Sequence, residues 1–227
     1  MRTIFVWFIL GLFPFLSQGQ PVDKDTTLYA NDHYWERIAV FKSEPVIKGR
    51  IIFLGNSITE FCDWKGLLND STVINRGIAG DNTYGVLARL EDIIIRKPKK
   101  LFIEIGINDF ALDPKQQRFV KNILLMAKQI RFGSPRTKIY IVSILPTNDS
   151  VKANYPFAYN KARESNNFNN YLLKAAKENF YYFVDLNRAL RDKNGKLAAK
   201  FAKDDGIHLN KSGYEAYLKL LRSKGFI

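Results

Sequence analysis

One of the two histidines in the chain has a carboxylate at a spacing that can orient a general base. His208 lies in "DDGIHLNKSGY", three residues after Asp205, with Gly206 between them to ease a tight turn. A carboxylate there can accept a hydrogen bond from one ring N–H and direct the other ring nitrogen outward, towards a proton to be removed. The alternative is a capping aspartate beside an unrelated histidine. His33, in a polar context, is predicted to be a surface residue.

A nucleophile for such a base is available at Ser57, in "IIFLGNSITE" (51–60). An apolar run ends there in a polar turn, which places Ser57 after a strand and near the start of a helix, where a backbone N–H can face an anion. The alternative is that Ser57 only caps the helix. The chain order serine, aspartate, histidine occurs in triads on α/β sheets. The missing second glycine of G-x-S-x-G disfavours an ordinary α/β-hydrolase, and a phosphate-binding loop is also missing.

The elements that must position these side chains alternate between strand and helix. Short apolar runs predict strands, and apolar residues at helical spacing predict helices. The predicted strands are 50–54, 72–75, 100–106, 138–145 and 181–186, and the predicted helices are 32–41, 83–95, 114–130, 161–179 and 212–223, with Pro114 suited to a first turn. This alternation implies a parallel sheet with helices on both faces. Without repeats or linkers, it predicts one α/β domain over residues 20–227.

The candidate residues share one edge of this sheet. Ser57, the loop after Asn75, and Asn108 each follow the end of a predicted strand, and ligands bind beyond the carboxyl ends of strands in open parallel sheets. We therefore expect one site at this edge. Taken singly, Asn108 could cap the next segment. Asp109 is expected to stabilise the loop.

A loop rich in asparagine, proline and tyrosine (147–160) carries three aromatic residues, Tyr155, Phe157 and Tyr159. These side chains could line a pocket for an acyl group or a sugar. We expect them instead to pack the loop onto the domain.

Four short blocks, in order, resemble those of the SGNH or GDSL-like hydrolase superfamily of secreted esterases and lipases. They are "GNSIT" (55–59), "NRGIAGDNTYGVLARL" (75–90), "GIND" (106–109) and "DGIHLNKSGY" (205–214). Together they span about residues 50–218, and the subgroup resembled most is that of platelet-activating-factor acetylhydrolase-like and carbohydrate O-acetyl esterases. Asn56 stands where the first block commonly has Asp, which affects the expected turn geometry and not the nucleophile.

The resemblance implies a site and a fold. Ser57, Asp205 and His208 would form a catalytic triad, and Ser57, Gly80 and Asn108 would supply the three donors of an oxyanion hole. Gly80 is expected to be glycine because a Cβ could block close backbone approach, although it could also merely turn the chain. The implied fold is a single three-layer α/β/α domain with a flavodoxin-like, five-stranded parallel sheet.

Composition restricts the remaining possibilities. Cys62, the single cysteine, is predicted to be a packing residue, and no Cys/His cluster has metal-ligand spacing, so neither a metal nor another cofactor is expected. The formal net charge is +13, but the basic residues are scattered apart from "RKPKK" (96–100), which is predicted to be a solvated loop. No nucleic-acid motif accompanies the charge. We therefore expect no nucleic-acid partner and interpret the charge as a surface bias.

The first nineteen residues have the pattern of a secretion signal. Arg2 precedes an apolar run from Ile4 to Leu16, and Ser17 and Gly19 occupy positions −3 and −1 of a cleavage site before Gln20. The run is short for a membrane span; an uncleaved anchor is the alternative. We expect export to the periplasm or the medium, without stable membrane insertion after cleavage.

These observations favour a serine esterase that hydrolyses short-chain acyl esters, in particular O-acetyl esters of carbohydrates. Three alternatives stay open: an acyltransferase with the same triad, a lysophospholipase- or lipase-like esterase, and an inactive carbohydrate- or lipid-binding protein on the same fold. The expected partner is a small-molecule or glycan ester. Neither the acyl length nor the oligomeric state follows from the sequence.

Overall fold

A computed structural model describes residues 25–112, 117–150 and 155–227. Residues 1–19, the predicted signal, and Pro114 lie outside the described residues. Five parallel strands form one sheet in the order β2-β1-β3-β4-β5, with β1 at Ile51–Gly55, β2 at Ile74–Gly77, β3 at Lys100–Glu104, β4 at Lys138–Val142 and β5 at Tyr182–Val184. This strand order is flavodoxin-like. The predicted five-stranded parallel sheet is confirmed.

Helices cover both faces of the sheet. They are α1 (Asp32–Ser43), α2 (Ser57–Glu60), α3 (Trp64–Leu68), α4 (Thr83–Ala88), α5 (Leu90–Ile95), α6 (Gln117–Gly133), α7 (Ala162–Ala175), α8 (Leu186–Leu190) and α9 (Lys211–Ser223). Short 3₁₀ turns lie at Thr26–Leu28, Asn108–Ala111 and Ala199–Phe201. Among the described residues, none of the helices is long and apolar enough to cross a bilayer.

Alternate side chains of the strands enter two cores. Ile52 and Leu54 of β1 pack under α4, α5 and α6, whereas Phe53 points to the face covered by α3 and α9. On that second face, register partners on neighbouring strands form a row of stacked rings, with Phe53 and Phe102 centred 4.8 Å apart and Phe102 and Tyr140 4.5 Å apart. Because strand side chains alternate between faces, one apolar run supplies both cores.

The predicted single helix over 83–95 is wrong, because the chain forms two helices separated at Arg89. Apolar spacing continues through this position, but Arg89 leaves helical geometry (φ −113°, ψ 13°) and turns its guanidinium inward. There it bonds to Asp81 and donates to the carbonyl oxygens of Arg76 and Gly55. A buried network therefore overrides the local helical pattern.

All five strands differ from their predicted bounds by one to three residues at one or both ends, and two of the differences have a visible local cause. The second strand begins at Ile74 and not at Thr72, because the Asp70 carboxylate holds the N–H and hydroxyl of Thr72 in a turn. The fourth ends at Val142, and the Asn169 side chain bonds both the N–H and the carbonyl of Ile144. A carboxylate in the first case and a side-chain amide in the second thus bond backbone groups next to the end of the strand.

The "RKPKK" segment only partly fits the predicted solvated loop. Arg96 is buried, and its guanidinium donates to Asp92 and to the Pro45 carbonyl. Lys97 and Lys99 are exposed. The first residue of this basic run is therefore a structural residue that ties α5 to the segment after α1.

Candidate active site

Ser57 lies directly beyond the carboxyl end of β1, as the first residue of α2. The helix cap is not Ser57 but Asn56, whose Oδ1 accepts the Ile58 N–H at 2.9 Å. A Cβ on Gly55 would lie 2.1 Å from the Glu104 carbonyl oxygen, so only glycine allows this strand end to approach β3. The Ser57 hydroxyl is thereby left free of the capping role that the sequence also allowed.

The structure brings Ser57, His208 and Asp205 into one hydrogen-bonded chain. His208 Nε2 lies 2.8 Å from Ser57 Oγ, and His208 Nδ1 lies 2.6 Å from Asp205 Oδ2. Asp205 Oδ1 also accepts the backbone N–H groups of Ile207 and His208, each at 2.9 Å, in a turn that Gly206 completes with a φ of 67°. The three-residue spacing between Asp205 and His208 thus fixes both the loop and the imidazole.

The ionisation of Asp205 suits an orienting role. Partial burial acts to raise the pKa of Asp205, but the hydrogen bonds from His208 and Ile207 outweigh it and hold that pKa below its ordinary value. Asp205 is therefore a carboxylate at neutral pH. It accepts from Nδ1, which leaves Nε2 to face the Ser57 hydroxyl.

Gly80 occupies a turn beside this chain. The turn Ile78–Asp81 is closed by the Asp81 N–H, which donates to the Ile78 carbonyl at 3.1 Å, and Gly80 has a φ of 82°. A Cβ on Gly80 would meet only Asn31 Nδ2, at 3.9 Å, so its conformation and not crowding by the protein calls for glycine. The Gly80 N–H donates to no acceptor among the described residues.

Asn108 brings a side-chain amide to the same place. It begins the 3₁₀ turn after β3, and its Nδ2 donates to the Asp81 carbonyl at 2.8 Å. An amide nitrogen carries two hydrogens, so one is left for a ligand. The Ser57 N–H, as the first of α2, has no intrahelical acceptor. Ser57, Gly80 and Asn108 all line one cleft.

Two buried carboxylates, Asp81 and Asp109, stabilise the loops that carry Gly80 and Asn108. Asp109 accepts the Thr83 hydroxyl at 2.5 Å and its N–H at 3.2 Å, which supports the loop-stabilising role expected for it. Burial raises the pKa of Asp109 to about 7. Burial also raises the pKa of Asp81, against the opposing effect of the Arg89 guanidinium 2.8 Å away. Neither carboxylate lines the cleft. Asp81 accepts the N–H of the cleft residue Asn82, and Asp109 holds the neighbouring Thr83.

Sequence reasoning missed the pair His33 and Glu60. His33 is only partly exposed, and its Nε2 lies 3.0 Å from Glu60 Oε2. That same oxygen accepts the Ala79 N–H. Glu60 lies three residues after Ser57, one helical turn, so the acidic residue of the "SITE" sequence was the available signal.

The cleft in front of these residues has a volume of about 400 Å³. Two groups of neighbouring residues line it. One consists of the Gly80 turn, the Asn108 segment and the stretch Thr27–Asn31. The other consists of His208 and the rings of Phe61, Tyr155 and Phe157. The expectation that all three loop aromatics pack the loop down is wrong for Tyr155, which is exposed and lines the cleft. It holds in part for Phe157, which packs against the core and also lines the cleft. It holds for Tyr159, whose hydroxyl donates to the Asp205 carbonyl at 2.6 Å.

The single cysteine and possible metal-binding side chains were also considered as parts of the site. Cys62 is buried, as predicted, and burial raises the pKa of its thiol to about 12. Within the described residues, no three His, Cys, Asp or Glu side chains are arranged to hold a metal ion.

Comparison with known proteins places this geometry in a family. The family model described as GDSL-like lipase/acylhydrolase matches residues 53–216, which contain all five residues of the candidate site. The chain belongs to the GDSL-like lipase/acylhydrolase family. Ester hydrolysis is accordingly its class of reaction.

Relatives of this GDSL-like protein agree with the assignment. It is 25% identical over 182 residues to "Platelet-activating factor acetylhydrolase IB subunit alpha1" of Rattus norvegicus, covering 76% of this chain and 73% of the relative. A GDSL-like lipase from Bacteroides thetaiotaomicron superposes with a TM-score of 0.70 at 25% identity, over 84% of this chain and 96% of that one. An acetyl xylan esterase shares the fold, with a TM-score of 0.59 and 21% identity over 77% and 98% of the two chains.

Proposed function

We propose that this protein is a serine esterase that removes short acyl groups, in particular O-acetyl groups, from carbohydrate alcohols. The observation that carries the proposal is the hydrogen-bonded chain from Ser57 Oγ through His208 to Asp205, at 2.8 and 2.6 Å. Ser57 and His208 both line the cleft, so the proposed nucleophile is accessible to a small ester. Asp205 keeps the imidazole in the tautomer that accepts a proton.

The reaction divides into two halves. In the first, Ser57 Oγ attacks the ester carbonyl while His208 Nε2 takes the hydroxyl proton. The resulting oxyanion accepts hydrogen bonds from the Ser57 N–H, the Gly80 N–H and the Asn108 amide. Collapse of this intermediate breaks the bond to the alcohol, which leaves with the proton from His208. In the second half, water attacks the acyl-enzyme by the same proton path and releases the acid.

The mechanism assigns the alcohol and the acyl group to different parts of the cleft. His208 must lie within hydrogen-bond reach of the leaving oxygen, so the alcohol would lie beside His208. The acyl group would then lie away from His208, and Leu28, Ile107, Ala111 and Leu112 are apolar cleft residues available to contact it. Both parts share about 400 Å³, which supports a short acyl group.

Two half-exposed aromatic rings beside His208 support a preference for an alcohol that contains a ring. The centroid of Phe61 lies 5.2 Å from that of His208, and the centroid of Tyr155 lies 6.3 Å from it on an edge-to-face geometry. Both rings line the cleft, and both have large exposed fractions, 49% and 40%. Flat apolar walls beside the leaving oxygen favour an alcohol with a flat face, such as a pyranose, over a flexible chain.

The relatives support the acetyl preference. Several curated relatives carry the name acetylhydrolase, and the matched region includes the residues on the oxyanion side of the cleft from Ala79 to Leu112. The stretch Thr27–Asn31 also lines the cleft and lies before the region that the family model matches.

The test is hydrolysis of p-nitrophenyl acetate, butyrate and octanoate, with Ser57→Ala and the matched control Ser223→Ala, an exposed serine on α9. We expect turnover of acetate to exceed that of octanoate, loss of activity in Ser57→Ala alone, and labelling of Ser57 by a fluorophosphonate. Unchanged activity in Ser57→Ala would refute the proposed nucleophile. Labelling without turnover of any ester would reject simple acyl esters as substrates.

The alcohol preference has its own measurement. Phe61→Ala and Tyr155→Ala should raise KM for an acetylated methyl pyranoside at least several-fold and leave KM for ethyl acetate nearly unchanged. Tyr171→Ala, an exposed tyrosine on α7, is the matched control. Equal losses on both esters would show that the rings support His208 and do not recognise the alcohol.

Export is a separate proposal. The signal pattern of residues 1–19 supports secretion to the periplasm or the medium. Amino-terminal sequencing of the mature protein should begin at Gln20. A mature chain that begins at Met1 would identify the segment as an uncleaved anchor.

A further inference from the structure

Basic residues that are far apart in the sequence meet at the amino ends of the strands, opposite the candidate active site. Lys99 directly precedes β3, and Lys138 begins β4 with its N–H donating to the Lys99 carbonyl. A surface cleft of about 310 Å³ is lined by Arg136, Lys138 and Lys177 together with Phe180. Lys97 reaches the Gly133 carbonyl beside Phe132. We call this surface the basic face: Lys97, Lys99, Arg136, Lys138 and Lys177, with Phe132 and Phe180.

The positive charge of the basic face is not neutralised by ion pairs. None of its five cations forms a salt bridge within the described residues, although Glu178 lies next to Lys177. The pKa of Lys100 reflects this positive charge. It is lowered mainly by desolvation and further by the charges of Lys99 and Lys138. A concentration of unpaired cations attracts an anionic partner.

Two phenylalanines on this face are exposed to an unusual degree. Phe132 is 87% exposed and Phe180 is 69% exposed. Phe180 has in addition a φ of 55°, a left-handed conformation that bulky residues rarely adopt. Arg131 holds it in place by donating to the Phe180 carbonyl at 2.6 Å. The left-handed backbone of Phe180 costs stability, and its exposed ring gains none from burial, so a partner that covered the ring would add the missing apolar burial.

The chemistry that matches both features is an anionic lipid surface. Lysine and arginine side chains near an anionic bilayer attract its head groups, and phenylalanine rings bury themselves at the boundary between head groups and acyl chains. A soluble polyanion would engage the cations but would leave the two rings in water. The combination therefore favours a membrane over a charged polymer.

We propose that the basic face is a docking surface for anionic membranes. The cleft lies at the carboxyl ends of the strands, and a five-residue strand spans about 17 Å. A protein docked through the opposite edge therefore presents Ser57 away from the bilayer. Its substrate is then carried outside the lipid, as a polysaccharide would be, and is not a lipid of the membrane to which it docks.

The test is co-sedimentation of the full chain with vesicles of phosphatidylcholine alone or mixed with phosphatidylglycerol, at low and high salt. We expect binding only to the mixed vesicles and release by salt. Lys99→Glu with Lys177→Glu should weaken that binding by roughly 20-fold or more, since each basic residue near an anionic surface is worth about fivefold in partitioning. Lys42→Glu with Lys219→Glu makes the same change in net charge on α1 and α9 and should retain most of the binding.

The aromatic part of the proposal is tested by Phe132→Ser with Phe180→Asn, and the control is Tyr171→Ser. The phenylalanine variant should bind the mixed vesicles at least several-fold more weakly and should keep full activity on p-nitrophenyl acetate, which shows that it is folded. Equal losses in both charge variants, or binding to an oligonucleotide or dextran sulfate but not to vesicles, would overturn the proposal. Unchanged vesicle binding in the phenylalanine variant would also overturn it.

Discussion

Glu60 Oε2 accepts the backbone N–H of Ala79 at 2.5 Å, and so joins the helix that carries Ser57 to the turn that carries Gly80. The same carboxylate pairs with His33 at 3.0 Å and with Arg37 at 3.3 Å, both on α1. One side chain thus fixes the relative position of the proposed nucleophile and one proposed oxyanion donor. Alignment of that kind matters because the donors must meet the oxyanion at hydrogen-bond distance.

Glu60→Ala should lower kcat for p-nitrophenyl acetate by about 10- to 100-fold, less than the loss of a whole oxyanion donor. Glu60→Gln keeps an acceptor for the Ala79 N–H and should recover most of the rate. Steady-state kinetics on both variants, with Glu215→Ala on α9 as control, measure the effect. A fall in kcat that glutamine does not rescue would assign the effect to the ion pairs and not to the Ala79 contact.

Asp205→Asn should reduce kcat by about 10²–10⁴, because an amide at this position no longer selects the tautomer of His208 that accepts from Ser57. The change keeps the shape of the side chain, and the thermal midpoint should fall only slightly. The rate of fluorophosphonate labelling of Ser57 should fall in parallel with kcat. Asp204→Asn, at the neighbouring exposed carboxylate, provides the control and should retain full activity.

Asn108→Ala removes the proposed side-chain donor and should lower kcat by about 10²–10³ with little change in KM, since the lost interaction forms mainly in the transition state. Asn167→Ala, an exposed asparagine on α7, is the matched control. A rise in KM at constant kcat would contradict this role and would indicate that Asn108 only binds the ground state.

Glu104 makes stability depend on pH. Its carboxyl oxygens and the hydroxyl of Tyr217 are buried without hydrogen-bond partners among the described residues, and burial raises the pKa of Glu104 from 4.5 to about 8. Between these values the folded protein holds a proton that the unfolded chain releases, so the free energy of unfolding falls as the pH rises.

Glu104→Met removes this pH dependence. The difference in the free energy of unfolding between variant and wild type should therefore shift in favour of the variant by at least about 1 kcal/mol from pH 5 to pH 8. Urea denaturation at the two pH values measures the difference, and Glu178→Met at an exposed position should show no such trend. Equal gains at both pH values would mean that Glu104 is already ionised in the folded protein.

Much of the fold and the five site residues follow from the sequence for a simple reason. Apolar runs locate the strands, and parallel strands bring their carboxyl ends to one edge, so topology places Ser57, the loop after Asn75 and Asn108 together. The resemblance to the hydrolase blocks then singles out Gly80 within that loop. The Asp205 and His208 spacing is local and is visible in the sequence. The geometry agrees with that expectation.

Features that depend on contacts across the chain were not accessible in this way. Arg89 breaks a helix because Asp81 and two carbonyl groups lie inside the fold, and no periodicity signals them. Tyr155 belongs to a loop whose path is set by packing. The basic face is assembled from segments around 97–99, 132–138 and 177–180, so its lysines look scattered in the sequence.

The hydrogen bond between Ser57 and His208 joins residues that are 151 positions apart. The segment that carries His208 continues into α9, where the Tyr214 hydroxyl donates to the Ile58 carbonyl and so holds α9 against the helix of the nucleophile. During synthesis, Ser57 is made long before His208, so in the proposed mechanism it has no base until the carboxyl-terminal segment docks. Ester cleavage by that mechanism would then report complete folding, since a chain cut short of Asp205 keeps the proposed nucleophile but lacks the groups proposed to activate it.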